Sequence, residues 1–491
     1  MKRKAFRLLA IVVALIMICG LMACGNAAAP SSTAASSGTA AVSSTAPASS
    51  ATAEPLEQIE GGNGIVAAKP ELDGKVRIAY CNLNELTGPD PMTGRTVYGA
   101  DELQKWLEAD YPNLEFEIIV FPVKDHYTKT KALMEAKQVD VVISSATAQI
   151  YQEGYSLDLS PYIESDPEYN IGLHNSERLG TYYRELNPEF PGDDSKRIAN
   201  CLPFDGAAEI IIYDSELFEQ WGVEPISDKP TLDEIYEKAQ KMTGINPVTG
   251  EQNYGIAFPT GAKPSTWNLA AVVNALGGDI GTYMPNEWDI QIDVSTPEWV
   301  QGLEWVKSIQ PFTPPGMETE QGMELFLTQG NNIAMKFNVS CFEVFRYEAA
   351  GLGDKFEPAS RPTNAAGEHS RLGGMRVQVM KDAVDADLAW EIAKWCSVGN
   401  GQRFLMQTQT GWPTSIKALG DAEMSPEAKR ALEIGSMIMP KSPVDSLSLH
   451  TIMIDAIESC TLGGVSPASA LAKAESDRQQ SYEQLKKAAG K

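Results

Sequence analysis

Cysteine and histidine, the residue types that most often act as nucleophiles, bases or metal ligands, show no spacing typical of a reactive site in this chain. Five cysteines follow the N-terminal segment, widely separated and without a CxxC pair: Cys81, Cys201, Cys341, Cys396 and Cys460. The four histidines share no metal-ligand spacing: His126, His174, His369 and His450. A Walker loop, an HExxH motif and a GxSxG elbow are also absent from the sequence. We therefore expect no metal, no cofactor and no catalytic nucleophile, and we interpret the cysteines as buried thiols.

Carboxylates are the abundant ionisable groups. The 491 residues include 65 Asp and Glu against 40 Lys and Arg, which gives a net charge of −25. Such a surface repels phosphate backbones and offers no basic stripe to an anionic membrane, so nucleic-acid binding is disfavoured. Two carboxylates about 5–10 Å apart in a cleft would suffice for glycoside hydrolysis. A surface-anchored glycoside hydrolase therefore stays open as an alternative.

Cys24 lies in a different chemical context, at the end of an N-terminal targeting signal. Residues 1–7 hold four positive charges and precede an unbroken apolar run of eleven residues, Leu8–Ile18, which is typical of a secretory signal and too short for a membrane span. The sequence LMACG around Cys24 resembles a bacterial lipobox. That resemblance implies removal of the signal peptide 1–23 and a diacyl lipid on Cys24, which gives stable anchoring. The alternative is an ordinary signal peptide with an incidental cysteine.

Residues 24–73 are interpreted as the lipidated cysteine followed by a tether. Residues 27–53 contain 23 Ala, Ser or Thr residues and no charge, so nothing in them can bury a core. The rest of the chain is long enough for two or three domains, and its 43% of hydrophobic residues suffices for real cores. We expect a protein outside the cytoplasm that is held at the bacterial cell membrane by its N-terminal lipid only.

The elements that open the body alternate between strand and helix. Five segments read as strand, helix, strand, helix and strand: Lys75–Tyr80, Ala100–Tyr111, Leu114–Phe121, Lys124–Gln138 and Val139–Ser144. This order predicts a parallel sheet with helices on its faces. Ligands bind such sheets at the carboxyl ends of the strands, so the loops after Tyr80 and Ser144 are the first candidate binding loops.

Further elements are predicted downstream. A capping box at Thr231–Glu234 opens a helix that ends near Met242. Proline at the first helical position marks two more helix starts, at Pro297 and Pro467. Apolar periodicity predicts a helix over Ala386–Cys396. Two strand-like runs complete the pattern: Glu209–Tyr213 and Arg376–Met380.

Several short segments follow one another in an order that can be compared with known families. They are Trp106–Val120, Val139–Val142, Gly154–Ile163, Leu202–Phe204, Ile212–Asp214, Pro230–Thr243, Asn253–Ala257, Phe326–Met335, Gly373–Gly374, Ala389–Trp395 and Gly411–Pro413. In this order they resemble the extracellular solute-binding proteins of bacterial ABC importers, in the carbohydrate-type family 1. Three scaffold positions depart from that pattern, with Val139 in place of Pro, Asp214 in place of Asn and Leu232 in place of Trp.

The resemblance implies an α/β fold of the periplasmic-binding-protein type. Each of two lobes would hold a mostly parallel sheet flanked by helices, and a multi-segment hinge would join them and close on a ligand. The implied first lobe comprises residues 74–206 plus 358–400, and the second comprises 207–357 plus 401–491. The crossing segments would lie near Pro203–Ala207, Asp354–Ser360 and Gly401–Trp412.

The same resemblance implies which side chains would face a ligand. Carbohydrates present apolar faces and hydroxyl edges, so their sites combine aromatic and polar side chains. The implied first-lobe candidates are Tyr80, Asn82, Asn84, Glu85, Ser144, Ser145, Phe204, Asp205, Gly374, Met375 and Arg376. The implied second-lobe candidates, with one residue of the last crossing, are Trp267, Asn338, Ser340, Phe342 and Trp412. For each of them a packing or surface role is the alternative, notably for Trp267, whose helix must also pack on a sheet.

The implied function is that of a monomeric binding protein and not of an enzyme. It would capture a small solute of the carbohydrate class and deliver it to the permease subunits of an ABC transporter. A sensor subunit that presents its ligand to a membrane receptor would share the same fold, and it stays open as a further alternative.

Overall fold

In the computed structural model, the described residues are 69–90, 94–122, 126–145, 150–151, 153–174, 184–185, 198–206, 209–258, 263–278, 282–283, 291–317, 330–341, 343–367, 375–408, 411, 413–415, 425–436 and 449–488. The predicted signal peptide, Cys24 and the tether up to residue 68 lie outside them. Within these ranges no helix combines the length and the apolar character that crossing a membrane requires.

The secondary structure alternates between strands and helices along the chain. The strands are β1 (Gly74–Cys81), β2 (Gly88–Pro89), β3 (Thr96–Val97), β4 (Leu114–Phe121), β5 (Val141–Ser144), β6 (Arg184–Glu185), β7 (Ile198–Ala199), β8 (Leu202–Pro203), β9 (Glu209–Asp214), β10 (Gly244–Ile245), β11 (Gln252–Ala257), β12 (Thr282–Tyr283), β13 (Gln291–Ile292), β14 (Ile333–Ser340), β15 (Phe356–Ala359) and β16 (Arg376–Val379). The α-helices are α1 (Ala100–Asp110), α2 (His126–Glu135), α3 (Ser160–Ser165), α4 (Ser215–Trp221), α5 (Leu232–Lys241), α6 (Lys263–Ala275), α7 (Pro297–Ile309), α8 (Glu343–Ala349), α9 (Ala386–Val398), α10 (Asn400–Thr408), α11 (Pro426–Ser436), α12 (Leu449–Thr461) and α13 (Pro467–Ala488).

The first sheet has the strand order β4-β1-β5-β16-β8 and forms the first lobe with the helices packed on it. β1 pairs in parallel with both β4 and β5, so the carboxyl ends of these three strands lie at one edge. All of β5 is buried, and β1 is buried from Ile78 to Cys81. Continuous burial is expected for parallel strands that are covered by helices on both faces. The predicted alternation of strand and helix is confirmed in this part of the chain.

The second sheet has the order β10-β11-β14-β9-β15 and organises the second lobe. Its strand β9, which lies between β14 and β15, separates two hydrophobic cores. Ile211 and Tyr213 belong to the core shared with α4 to α7, α12 and α13. Ile210 and Ile212 belong to the opposite core, which α8 and α11 cover. The alternation follows from the two-residue period of a strand.

The second sheet is mixed, whereas we expected both sheets to be mostly parallel. β9 runs antiparallel to both of its neighbours, β14 and β15, and in the first sheet β16 runs antiparallel to β5 and β8. β9 and β16 are the strands by which the chain enters one lobe from the other. Such a strand starts at the edge where its neighbours end, so it must run against them.

The packing of α10 differs from the predicted lobe boundary. Phe404 and Leu405 lie in the hydrophobic core of the first sheet, where Phe404 contacts the rings of Tyr98 and Trp106. Farther along, Pro413 forms an isolated β-bridge with Asp205. The described residues from 401 to 415 therefore pack with the first lobe, although we predicted that the second lobe resumes at residue 401. The cause is that α10 follows α9 directly and turns back onto the same core.

The residues after β15 also pack differently from the prediction. Pro358 and Ala359 lie in the ladder between β15 and β9, and the Thr363 amide donates to the Pro230 carbonyl at 2.9 Å. Residues 358–367 therefore belong with the second lobe, although we predicted that the first lobe resumes at residue 358. The described chain is still in the second lobe at residue 367 and is in the first lobe again at residue 376, whereas we expected the second crossing near Asp354–Ser360.

Candidate functional site

Three strands of the first sheet bring distant candidate residues together at the edge where β1 and β5 end. Tyr80 lies beside Ile143 in the β1–β5 ladder, and Ser144 lies opposite Arg376 in the ladder with β16. Tyr80, Ser144 and Arg376 are all buried. These three candidate residues therefore lie close together, as predicted from the strand ends, but their side chains are buried and not exposed to solvent.

Tyr80 and Phe204 form an aromatic pair below this edge. Their ring centroids are 5.6 Å apart in an edge-to-face arrangement, and both rings lie in the hydrophobic core of the first sheet. The Tyr80 hydroxyl has no hydrogen-bond partner among the described residues. Burial raises the pKa of Tyr80 well above its usual value of 10, so the phenol stays neutral. Contact of either ring with a ligand remains a prediction.

Asp205 lies just after β8, where the chain leaves the first lobe, beside the residues that follow α10. Its amide donates to the Met375 carbonyl at 3.0 Å, and its backbone forms a bridge with Pro413. The side chain is buried, and a Cβ atom at Gly411 would lie only 2.8 Å from the Asp205 carboxyl carbon. Glycine at 411 thus permits a close approach that any larger residue would obstruct.

The exposed polar candidates of the first lobe follow the same strand ends. Asn82 adopts a left-handed conformation with φ of 66°, which Asn tolerates better than most residues, and its amide donates to the Phe121 carbonyl at 2.8 Å. The Asn84 carbonyl accepts from the Ala100 amide at 2.9 Å, which fixes the loop to α1. The side chains of Asn82, Asn84, Glu85 and Ser145 are exposed. They are polar groups at this edge that a ligand can reach without rearrangement.

The second-lobe candidates are only partly described. Ser340, half-buried at the end of β14, lies opposite Glu209 at the start of β9. The backbones of Trp267 in α6 and Asn338 in β14 are described, but their side chains are not. Three further candidates, Phe342, Gly374 and Trp412, lie outside the described residues.

A charged cluster that we did not predict lies at the same edge of the second lobe. Arg361 is fully buried, and its Nη1 is 2.7 Å from Oε2 of Glu209. Its Nη2 donates to Oδ1 of Asn268 at 3.2 Å, and its Nε donates to the Phe337 carbonyl at 3.3 Å. Burial lowers the pKa of Arg361, and the Glu209 carboxylate opposes that shift. The sequence signal was an arginine two residues after the end of a buried strand.

Among the residues that the structure describes, an ion pair joins the two lobes. Asp90 lies at the end of β2 in the hairpin that β2 and β3 form in the first lobe, and Arg346 lies on α8 in the second. Their Oδ2 and Nη2 atoms are 3.6 Å apart. Arg346 also donates to both carboxylate oxygens of Glu343 on its own helix, at 2.9 and 3.0 Å. The opening residues of α8 thus face the first lobe.

The histidine and cysteine side chains that are described have structural surroundings. His174 is buried between the Tyr169 hydroxyl at 3.0 Å and the Thr414 hydroxyl at 3.3 Å, and burial lowers its pKa to about 4. All five cysteines of the body are buried, as predicted. Among the described residues, no group of three or more His, Cys, Asp or Glu side chains could hold a metal ion.

Solved structures with the same fold are numerous. The sugar-binding protein MalE of Xanthomonas citri superposes with a TM-score of 0.66 at 13% identity, over 85% of this chain and 99% of that one. An ABC substrate-binding protein of Listeria monocytogenes in complex with cycloalternan gives 0.65 at 15% identity, over 83% and 99% of the two chains. An ABC transporter solute-binding protein of Agrobacterium vitis with bound D-mannitol gives 0.59 at 16% identity, over 84% and 99%. These similarities confirm the two-lobed periplasmic-binding-protein-like fold.

Sequence comparison assigns the family. No curated protein matches the chain. The family model described as bacterial extracellular solute-binding protein matches residues 94–397, which is more than half of the 491 residues. This match covers every strand of the two five-stranded sheets except β1. The site residues that lie outside it are Tyr80, Asn82, Asn84, Glu85, Asp90, Gly411, Pro413 and Thr414. The chain therefore belongs to the family of bacterial extracellular solute-binding proteins.

Proposed function

We propose that the protein captures a sugar, an oligosaccharide or a related polyol between its two lobes and delivers it to the permease subunits of an ABC transporter. Family membership already identifies a solute-binding protein and not an enzyme. Similar structures hold cycloalternan and D-mannitol, which are neutral polyhydroxy compounds. This chemistry fits the exposed amide and hydroxyl groups of Asn82, Asn84 and Ser145, because each can exchange hydrogen bonds with hydroxyls.

The observation that carries the proposal is the short length of chain between the two sheet edges that hold the candidate ligand-binding residues. β8 ends at Pro203 in the first lobe, and β9 starts at Glu209 in the second. Six Cα steps span at most about 20 Å, so the edge with Tyr80 and Ser144 lies close to the edge with Ser340 and Glu209. A ligand of a few sugar rings can contact both.

Capture then follows from hinge closure. We propose that the chain passes between the lobes three times, after residue 206, after residue 367 and after residue 415, and that these passages form the hinge in place of the segments expected from the sequence. We accordingly assign residues 74–206 and 375–415 to the first lobe, and 209–367 and 425–488 to the second. A ligand that contacts both lobes binds the closed form more tightly than the open form, and this difference in affinity shifts the population toward closure.

We further propose that the protein is a monomer anchored through a lipid on Cys24. The lipobox-like sequence before Cys24 and the uncharged Ala/Ser/Thr-rich segment after it support this arrangement. Replacement of Cys24 by Ser should move the protein from the membrane fraction to the soluble fraction outside the cytoplasm without changing its melting temperature. Continued membrane association of Cys24→Ser would contradict the anchor.

A calorimetric and thermal-shift screen tests the function. The probes are maltose, maltotriose, D-mannitol and D-tagatose, with chemical analysis of the recovered probe after long incubation. A ligand at 100 times its Kd should stabilise the folded protein by about 2.7 kcal/mol. The recovered probe should be chemically intact. Binding of none of these compounds would contradict the proposed ligand class, and hydrolysed product would contradict a pure binding role.

A further inference from the structure

Glu209 occupies a special position in the second lobe. It is the first residue of β9, at the edge where the chain arrives from the first lobe, and it lies opposite Ser340. Its side chain is 27% exposed, whereas the five residues after it in β9 are buried. Glu209 therefore presents a carboxylate at the edge that faces the crossing, beside a strand and a helix that carry candidate ligand-binding residues.

Arg361 fixes the orientation of this carboxylate. A buried guanidinium is costly unless its donors are satisfied. Here the donors reach Glu209, Asn268 and the Phe337 carbonyl, and the guanidinium carbon lies 5.3 Å from the centroid of the Phe337 ring. These partners come from β9, α6 and β14, so the Arg361 side chain fixes the positions of these three elements relative to one another.

Asn268 gives a second polar group at this place. Its Oδ1 accepts from Arg361, which points its Nδ2 away from the guanidinium, and Nδ2 has no hydrogen-bond partner among the described residues. The residue is fully buried. A buried amide donor without a partner costs free energy, and a hydroxyl oxygen brought by a ligand would remove that cost.

The charges of the cluster select the ligand class. Arg361 has its charge balanced by Glu209, so no net positive charge is left to attract an anion. The carboxylate of Glu209 accepts hydrogen bonds from hydroxyls, whereas a ligand carboxylate or phosphate would face it with acceptors only and could form no such bond. The cluster therefore suits a neutral compound with adjacent hydroxyls and disfavours a sugar acid or a sugar phosphate.

We propose that Glu209 is a ligand-binding carboxylate of the second lobe, held in place by Arg361 as a positioning residue, and that it selects neutral polyhydroxy ligands against anionic ones. This inference rests on the proposed function, because it assumes that a sugar or polyol is bound between the lobes.

The test compares Glu209→Gln with the wild type by titration calorimetry, with maltose, D-mannitol and D-glucuronate as probes. Loss of a charge-assisted hydrogen bond should weaken binding of the neutral probe about 10- to 100-fold. The same variant should also lower the ratio of neutral-probe affinity to anionic-probe affinity, because the new amide can donate to a carboxylate and Arg361 no longer has its counter-charge. The matched control is Glu216→Gln. Glu216 lies in the first turn of α4, which follows the far end of β9, and its carboxylate pairs with Lys355 at 2.6 Å. This variant should bind as the wild type does.

A second variant separates positioning from folding. Arg361→Lys keeps the positive charge but loses the planar set of guanidinium N–H donors that reach Glu209, Asn268 and the Phe337 carbonyl. It should therefore weaken binding of the neutral probe, while the unliganded protein still unfolds cooperatively. A wild type that binds none of maltose, maltotriose, D-mannitol and D-tagatose contradicts the proposed function and, with it, this inference. Where only maltotriose or D-tagatose binds, that compound replaces maltose as the neutral probe. A wild type that binds while Glu209→Gln binds equally well, with unchanged selectivity, contradicts this inference alone.

Discussion

Residue-scale chemistry in the first lobe includes a buried histidine that makes stability depend on pH. His174 has its pKa lowered to about 4, whereas the unfolded chain titrates near 6.5. Between these values the unfolded state binds one more proton, so stability is full above pH 6.5 and falls as the pH drops toward 4. The complete effect is about 3 kcal/mol. Urea unfolding at pH 7 and pH 5 should show the wild type losing about 2 kcal/mol more than His174→Gln, and equal losses would contradict this role.

Trp267 is a second residue whose role an experiment can decide. Its backbone lies in α6 next to Asn268, which contacts Arg361, so its position in the fold is beside the second-lobe edge. If it stacks on a sugar, Trp267→Ala should weaken binding by about 1–3 kcal/mol. The melting temperature of the unliganded protein should change less. Normal binding together with a melting temperature several degrees lower would instead assign Trp267 to the core.

Some residue-scale features could be read from the sequence, and others could not. The capping box was predicted from local spacing, and the Thr231 side chain indeed accepts from the Glu234 amide at 3.1 Å. Glu209 and Arg361 meet across more than 150 residues, so no local pattern reveals that pair. The five cysteines were predictable as buried because they are isolated, apolar in context and without pairing motifs.

At the scale of elements, an ion-pair network holds the start of the described chain and the segment after α3 against α9. Lys394 is 1% exposed and contacts Asp166 at 2.8 Å, Glu168 at 2.7 Å and Glu391 at 3.0 Å. Although burial opposes it, pairing with these carboxylates raises the pKa of Lys394. Lys69 bridges the same Glu168 and Glu391. The network thus joins three segments that share no strand ladder.

Removal of this cation should destabilise the first lobe. Lys394→Met leaves the buried Glu391 and the half-buried Asp166 carboxylates without this cation, so we expect a loss of about 3 kcal/mol in the free energy of unfolding. Lys473→Met is the matched control, because Lys473 pairs with Asp477 on the exposed surface of α13 and should matter little. Urea titrations of both variants provide the comparison. Equal stability of the two variants would show that the network is dispensable.

Element types were easier to predict than element partners. Buried parallel strands read as apolar runs, so β1 and β5 were recognised, and Pro297 and Pro467 marked helix starts correctly. The apolar face of α10 indicates burial but not which core receives it, and for that reason the sequence did not reveal that Phe404 and Leu405 pack in the first lobe. The directions of β9 and β16 depend on the edge at which the chain enters each sheet. The hydrophobic periodicity of a strand carries no information about that edge.

At the scale of the whole molecule, the contact between Asp90 and Arg346 bears on closure. The side chains are 11% and 21% exposed, so solvent and salt screen this pair less than a fully exposed one. The pair joins a hairpin of the first lobe to a helix of the second, and it can form only when the lobes approach. It should therefore favour the closed form even without ligand, by about 1 kcal/mol or less.

Asp90→Asn is the variant of choice, because it removes the contact between the lobes while the Arg346–Glu343 pair within α8 stays intact. A loss of about 1 kcal/mol changes the ratio of closed to open molecules about fivefold, and ligand affinity falls with the closed fraction. Small-angle scattering of the unliganded variant should show a larger radius of gyration than the wild type, and maltose should bind up to about fivefold more weakly. Raising the salt concentration should expand the wild type but not Asp90→Asn, because only the wild type has this attraction to screen. Identical scattering of the two proteins at low salt, with equal affinities, would show that the ion pair does not contribute to closure.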